Sequence, residues 1–149
     1  MIDKAIILEK LINHHEQLVI ELNKTLLDLA EESNLTVDET IDLEDSSYQD
    51  YSSDMKLHYD ALLSNSLKDL EKLKSFVEAS THEVVPGALV VTDQLLFFIG
   101  VATPKLHIKD YQTLIGISID SEMFMLLKSK QAGDEFEYDQ KKLFIRSII

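Results

Sequence analysis

An acidic stretch in the first half of the chain, Glu31 to Asp54, constrains the fold more than any other feature. It reads EESNLTVDETIDLEDSSYQDYSSD and holds nine carboxylates, and no Lys or Arg occurs between Lys24 and Lys56. The long segments on either side have the apolar period of helices and mixed charge, so the simplest geometry is a helical hairpin with the negative charge at its bend. Taken alone, such a charge run is more typical of a solvated acidic loop than of a functional site.

The composition is that of a globular protein without thiol chemistry. The chain has 149 residues, of which 45% are hydrophobic and none is cysteine. This length accommodates one or two small domains, and no run approaches the ~18 apolar residues of a membrane span. The lack of cysteine excludes thiolate zinc sites, disulfides and thiol catalysis, and the N-terminal residues lack the pattern of a secretory signal. We therefore expect a cytoplasmic protein that does not contact membranes.

The net charge of -13 is unevenly distributed along the chain. Residues 1–80 contain 18 acidic and 7 basic residues, whereas residues 81–149 contain 9 acidic and 7 basic ones. The first half would repel nucleic acid, so we expect DNA and RNA to be reached only through another protein. A metal ion, a basic protein surface or a cationic channel would suit the acidic stretch as a partner.

Two helices are predicted on either side of the acidic stretch. Residues 2–33 contain no Gly or Pro, and their apolar residues recur at intervals of three and four. Residues 46–78 show the same period after a capping-box pattern formed by Ser46 and Gln49. Two helices joined by about a dozen residues predict a long antiparallel helical hairpin, or coiled coil, over residues 1–80. The residues expected at the seam between the helices are Leu18, Leu22, Leu63, Leu67 and Leu70.

The second half changes to β-like patterns after a linker at residues 79–86. Strands are predicted at 88–92, 95–100 and 114–119, a short helix at 121–130, and a final hairpin from 135–139 and 142–148 around Gln140-Lys141. The predicted fold class is α+β, with the helical hairpin followed by a small antiparallel sheet that one helix covers. The predicted domains are residues 1–80 and 81–149.

Histidines are further candidate metal ligands by residue type. His14 and His15 are adjacent in sequence and therefore point to different faces of a helix. His58 lies far from both in sequence, on the second predicted helix. We do not expect these three histidines to form a metal site.

Three strings in the second half carry a resemblance to a known family. They are VPGA at residues 85–88, GISIDSE at 116–122 and LLKSKQAGDEF at 126–136. Together they resemble the C-terminal domain of the GreA/GreB transcript cleavage factors, although Glu122 stands where the family usually has proline. The family's order is a long N-terminal helical hairpin followed by an FKBP-like domain. The resemblance therefore implies an FKBP-like sheet in residues 81–149.

The resemblance also implies a role for the acidic stretch. In that family the hairpin enters the secondary channel of bacterial RNA polymerase, and its tip carries two acids separated by two residues. Asp42 and Asp45 match that pair here, and Glu44 adds a third carboxylate. The resemblance implies that Asp42 and Asp45 hold Mg²⁺ together with the polymerase and so support transcript cleavage.

The isolated protein is expected to be neither an enzyme nor a carrier of a bound cofactor. Two carboxylates can complete a hard-cation site that keeps open water positions, and a second ion beside that of the polymerase could orient a water for phosphodiester hydrolysis. An exposed loop alone supplies too few ligands for Mg²⁺. We therefore expect Mg²⁺ to be shared with RNA polymerase in the complex. We also expect the protein to be a monomer.

Three functions fit this sequence. The first is a Gre-like regulator of RNA polymerase, in which cleavage stimulation and channel-blocking inhibition both stay open because extra carboxylates could supply or sequester magnesium. The second is a helical-hairpin adaptor with no polymerase role. The third is a peptidyl-prolyl isomerase, on the ground of the FKBP resemblance alone. That activity needs an aromatic-floored hollow, and the chain has no Trp.

Overall fold

The structure of the protein is a computed structural model that describes residues 2–35, 43–76 and 81–149, with the side chains of residues 32–35 and 43–52 outside that description. By its contacts the chain divides into two compact units. One unit joins Met1–Leu11 with Lys72–Ile149, and the other is Ile12–Glu71. The predicted α+β class with an N-terminal helical region is confirmed. The predicted domain boundary after residue 80 falls on residues 77–80, which lie outside the described residues.

Two long helices make up the first half, α1 at Lys4–Leu35 and α2 at Leu43–Ser75. The Asp3 side chain caps α1 by accepting a hydrogen bond from the Ala5 amide at 2.9 Å. α2 begins three residues before the predicted start, so the Ser46–Gln49 pattern lies within the helix. Lys72 and Lys74 occupy its last turn, where positive charge is favourable. Helices of 32 and 33 residues are each roughly 50 Å long.

Each helix of the Ile12–Glu71 unit carries a stripe of buried and half-buried residues at intervals of three and four. The stripe on α1 comprises His15, Leu18, Leu22, Leu26 and Leu29. The stripe on α2 comprises Met55, Tyr59, Leu63, Ser66 and Leu70. The seam prediction is wrong at Leu67, which is 48% exposed, because the α2 stripe passes through the neighbouring Ser66. Leu22 is buried, and the other three predicted leucines are half-buried.

The second half forms one five-stranded sheet in the order β3-β2-β1-β5-β4. The strands are β1 Leu89–Thr92, β2 Leu95–Ile99, β3 Thr113–Ile117, β4 Glu135–Tyr138 and β5 Lys141–Ile148. Three of the four pairings are antiparallel, but β2 and β3 are parallel, so the predicted antiparallel sheet is wrong at that pair. The reason is the connection at residues 100–112, which is long enough to return the chain to the end of the sheet where β2 begins. The result is a mixed, curled sheet.

A short helix and one tight approach of the backbone complete the sheet. Helix α3, Glu122–Leu127, is shorter than predicted, and the Ser121 hydroxyl caps it by accepting a hydrogen bond from the Phe124 amide at 3.1 Å. Gly116 lies in β3, where an added Cβ would collide with the carbonyl oxygen of Val101 and approach the Thr103 side chain to 2.8 Å. The glycine of the GISIDSE string is therefore required by close packing of the connection against β3.

One face of the sheet carries the main hydrophobic core. The core includes Val90, Phe97, Ile99, Ile115 and Ile145, and the buried Leu127 from α3 packs into it. The Phe97 ring lies edge-on to two other rings, with centroid distances of 5.7 Å to Phe136 and 5.3 Å to Tyr138. Such edge-to-face pairs stabilise a core beyond the area that they bury.

The opposite face of β1, β2 and β3 is also buried. Leu89, Leu96, Phe98 and Leu114 have no exposed area, and the Phe76 ring lies edge-on to Phe98 at 5.6 Å. The same compact unit contains the first residues of α1 and the last turn of α2, including the fully buried Ile7, Leu11 and Leu73. Residues that precede 81 therefore contribute apolar side chains to the unit that contains the sheet.

Candidate functional site

The acidic pair that the sequence predicts, Asp42 and Asp45, is described only in part. Asp42 lies outside the described residues, and Glu44 and Asp45 are the second and third residues of α2. Since the side chains of residues 43–52 are not described, the structure does not test whether the two aspartates can share a cation. The site stays a prediction.

The bounds of the helices locate the acidic stretch within the fold. Glu31 lies four residues before the end of α1, and Asp54 lies in the second third of α2. The first residues of α2 therefore carry acids, and the positive end of a helix dipole stabilises carboxylates there. The acids Glu44 and Asp45 therefore lie at the end of α2 where negative charge is favourable.

The net charge follows the division into compact units. The Ile12–Glu71 unit contains 15 acidic and 3 basic residues, a net charge of -12. The unit of Met1–Leu11 and Lys72–Ile149 contains 12 acidic and 11 basic residues, a net charge of -1. These sums cover all 149 residues and add to the total of -13. The unit made of long helices thus holds nearly all of the net negative charge, and the unit with the sheet has a net charge close to zero.

The sheet unit has a large open groove of about 810 Å³. Its walls are the bent segment 82–85 and the segment 128–132 that follows α3. Lys128, Lys130 and His82 supply its basic groups, Glu83 supplies a carboxylate, and the buried Val84 lies at its base. This mixture of polar groups suits a protein or peptide surface better than an apolar ligand.

A second, smaller pocket of about 150 Å³ lies at one end of the β4–β5 hairpin. Its residues come from the start of β2, from the connection after Gly100 and from the hairpin itself. The sequence analysis did not identify this pocket. No local motif could have identified it, because Leu95, Lys105 and Tyr138 come from separate segments of the chain and only the sheet topology brings them together.

The three candidate histidines lie on the long helices, and only His15 is buried. His15 is buried in the α1 stripe, and its ring lies edge-on to that of His14 at 5.4 Å. Burial lowers the pKa of His14, the neighbouring His15 lowers it further, and Glu21 opposes the shift. His58 is exposed on α2 beside the Tyr59 ring. Across the described residues, no three or more His, Asp or Glu side chains form a group that could hold a metal ion.

Asp93 is an acid with a lowered pKa whose hydrogen bonds show a structural role. Its carboxylate accepts a hydrogen bond from the Phe144 amide at 3.0 Å, and its own amide donates to the Phe144 carbonyl. The hydrogen bond from Phe144 holds the pKa of Asp93 below its usual value, helped by Gln94 and Arg146. The Gln112 side chain donates to the Asp93 carbonyl at 2.7 Å. Asp93 therefore fixes the β1–β2 turn against β5.

Within the part of the chain that the structure describes, neither long helix is apolar enough to cross a membrane. No protein-family model matches the chain, and no curated protein matches it.

Proposed function

We propose that the protein is a Gre-like transcription elongation regulator of the cytoplasm, which binds bacterial RNA polymerase and inserts the acidic end of its helices into the secondary channel. The observation that carries the proposal is the separation of charge. The helical unit has a net charge of -12 and the sheet unit one of -1. An acidic helical unit suits a cationic channel, because opposite charge attracts it there and like charge repels it from free nucleic acid.

The proposal requires that α1 and α2 pair as an antiparallel coiled coil. Three observations support this pairing: the helices have 32 and 33 residues, seven residues separate them in sequence, and both belong to one compact unit over most of their length. Each helix also carries a stripe of buried and half-buried side chains at intervals of three and four. In this arrangement Glu44 and Asp45, in the first turn of α2, lie at the distal end of the pair, and Asp42 directly precedes that helix in sequence.

The fold of the second unit supports the same proposal at a coarser level. A five-stranded mixed sheet with one short helix follows the long helices in the order that the GreA/GreB resemblance implies. The three resembling strings lie immediately before β1, from the end of β3 to the first residue of α3, and from the end of α3 into β4. We propose that this unit is FKBP-like and that it anchors the protein on the polymerase.

The proposed chemistry belongs to the complex and not to the isolated protein. Asp42 and Asp45 would bind Mg²⁺ together with carboxylates of the polymerase, and the ion would orient a water toward the transcript phosphodiester. The proximity of a second metal ion to the first stabilises both the attacking and the leaving oxygen. Glu44 would raise the local negative charge and so favour entry of the cation.

A transcript-cleavage assay on a stalled elongation complex tests the proposal. We expect the wild-type protein to speed cleavage of the transcript 3′ end, and the charge-neutral double variant Asp42→Asn/Asp45→Asn to lose at least about tenfold of that effect while still binding polymerase. The matched control Asp28→Asn/Asp60→Asn removes two exposed carboxylates elsewhere on the same helices and should retain the activity.

The remaining outcomes decide between the alternatives. Wild-type protein that slows elongation without cleavage, with the effect lost in the Asp42/Asp45 variant, would identify a channel-blocking inhibitor. Protein that does not bind polymerase at all would refute the proposal and leave the adaptor function. Equal activity of the tip variant and the wild type would remove Asp42 and Asp45 from the mechanism.

A further inference from the structure

The small pocket at the β4–β5 hairpin has a floor that other side chains hold in place. Leu143 is only 1% exposed, and Leu95 and Tyr138 are half-buried beside it. The Tyr138 ring lies edge-on to the fully buried Phe97 at 5.3 Å, so its position is set by the main core. The pocket is partly open to solvent and combines these apolar side chains with polar ones, and its volume of about 150 Å³ leaves room for a ring the size of benzene.

The rim of the same pocket is positively charged. Lys105 and Lys141 contribute two ammonium groups, and Asp139 contributes one carboxylate. The Lys105 Nζ lies 3.7 Å from Asp139 Oδ2, and the two side chains are 58% and 71% exposed. An ion pair this exposed and this long is weak, so a carboxylate from a ligand can replace Asp139 at Lys105 at little cost.

The backbone fixes where these rim groups stand. Asp139 and Gln140 have φ values of 50° and 64°, which is the conformation of a tight two-residue hairpin turn. Asn is well suited to that conformation, so Asp139→Asn removes the carboxylate charge and preserves the turn. The hairpin therefore offers a variant that changes charge without changing shape.

We propose that this pocket binds a small organic anion with one ring or branched apolar group and one carboxylate. The apolar group lies on Leu95, Leu143 and the Tyr138 ring, where it loses contact with water. The carboxylate displaces Asp139 from Lys105 and is attracted by Lys141. This site lies in the sheet unit, and the proposal does not depend on any role in transcription.

A titration of the full-length protein with benzoate tests the site. The readout is the movement of Leu95 and Leu143 methyl resonances in two-dimensional NMR spectra, with benzyl alcohol as the uncharged probe of the same ring. We expect benzoate to move these resonances with a dissociation constant in roughly the high-micromolar to millimolar range, and benzyl alcohol to bind several-fold more weakly.

Two variants should change the affinity in opposite directions. Lys141→Gln should weaken benzoate binding about two- to fivefold, and Asp139→Asn should strengthen it by a similar factor because it removes the competing carboxylate. Lys109→Gln removes an exposed lysine from the same connection, outside the pocket, and should leave binding unchanged.

Three results would overturn the proposal. The first is that benzoate at tens of millimolar leaves both methyl resonances unmoved. The second is that benzyl alcohol binds as tightly as benzoate, which would assign no role to the lysines. The third is that Asp139→Asn and Lys141→Gln shift the affinity in the same direction or not at all, in spectra that are otherwise those of the folded protein.

Discussion

At the scale of single residues, Gly100 shows how tightly the sheet unit is packed. Its φ of +136° lies in the region that side chains avoid, and a Cβ there would stand 2.7 Å from Cζ of the Phe76 ring. Phe76 in turn packs on Phe98, so the ring has little room to move away. The absence of a side chain at Gly100 thus lets a residue from beyond the end of α2 lie against the sheet.

We expect Gly100→Ala to lower the free energy of unfolding by about 1–3 kcal/mol, since it combines backbone strain with overpacking against Phe76. The measurement is equilibrium denaturation in urea. Gly133→Ala is the control, because Gly133 has a φ of +99° but nothing within 4 Å of an added Cβ. A loss no greater for Gly100 than for Gly133 would show that the Phe76 ring yields without cost.

At the scale of elements, the helical stripes show which leucines stabilise α1 and α2. Leu22 is 7% exposed and Leu67 is 48% exposed, although both follow the apolar period in the sequence. Ser66 is 7% exposed and occupies the stripe position beside Leu67. The apolar period could not reveal this, because a small polar residue among leucines is read as a surface position.

We expect Leu22→Ala to cost roughly 2–5 kcal/mol of stability and Leu67→Ala to cost less than about 0.5 kcal/mol. Thermal unfolding followed by circular dichroism at 222 nm measures both changes, since helices dominate that signal. Similar costs for the two variants would contradict the burial of the stripe as described. A larger cost for Leu67→Ala would indicate that Leu67 is buried between the helices, as the sequence alone predicts.

Much of the element order follows from the sequence, but the pairing of strands does not. The change of period near residue 80, the β1–β2 hairpin and the terminal hairpin are all local patterns, and the structure confirms them. The parallel pairing of β2 with β3 depends on the path of residues 100–112, which carry no periodic pattern. The turn at Asp139-Gln140 differs by one residue from the predicted one for a similar reason, since neither residue is a glycine that would have signalled it.

The candidate sites differ in the same way. The acidic pair Asp42 and Asp45 could be predicted because its evidence is a local concentration of charge and a resemblance of motif. The pocket around Tyr138 could not, because its apolar floor and its two lysines come from segments that meet only when the sheet has formed. Charge runs are visible in one dimension, whereas pockets are products of topology.

At the scale of the whole molecule, the sheet unit depends on residues from both ends of the helical region. Ile7, Leu11 and Leu73 are fully buried within the unit that contains the sheet, and Phe76 packs on Phe98. A protein cut at the predicted domain boundary, residues 81–149, would lack all four side chains. The face of the sheet that carries Leu89, Leu96, Phe98 and Leu114 would then lose apolar cover.

We therefore expect residues 81–149 alone to be less stable in urea than the same unit in the full chain, and to bind a dye that reports exposed apolar surface. Extending the fragment to residues 72–149 restores Leu73 and Phe76 and should recover part of the stability, because burial of each large apolar side chain contributes about 1.5–3 kcal/mol. The matched control is the 72–149 fragment with Phe76→Ala, which should fall back toward the shorter one. A fragment of residues 81–149 as stable as the unit in the full chain would instead support an independent domain that begins at residue 81.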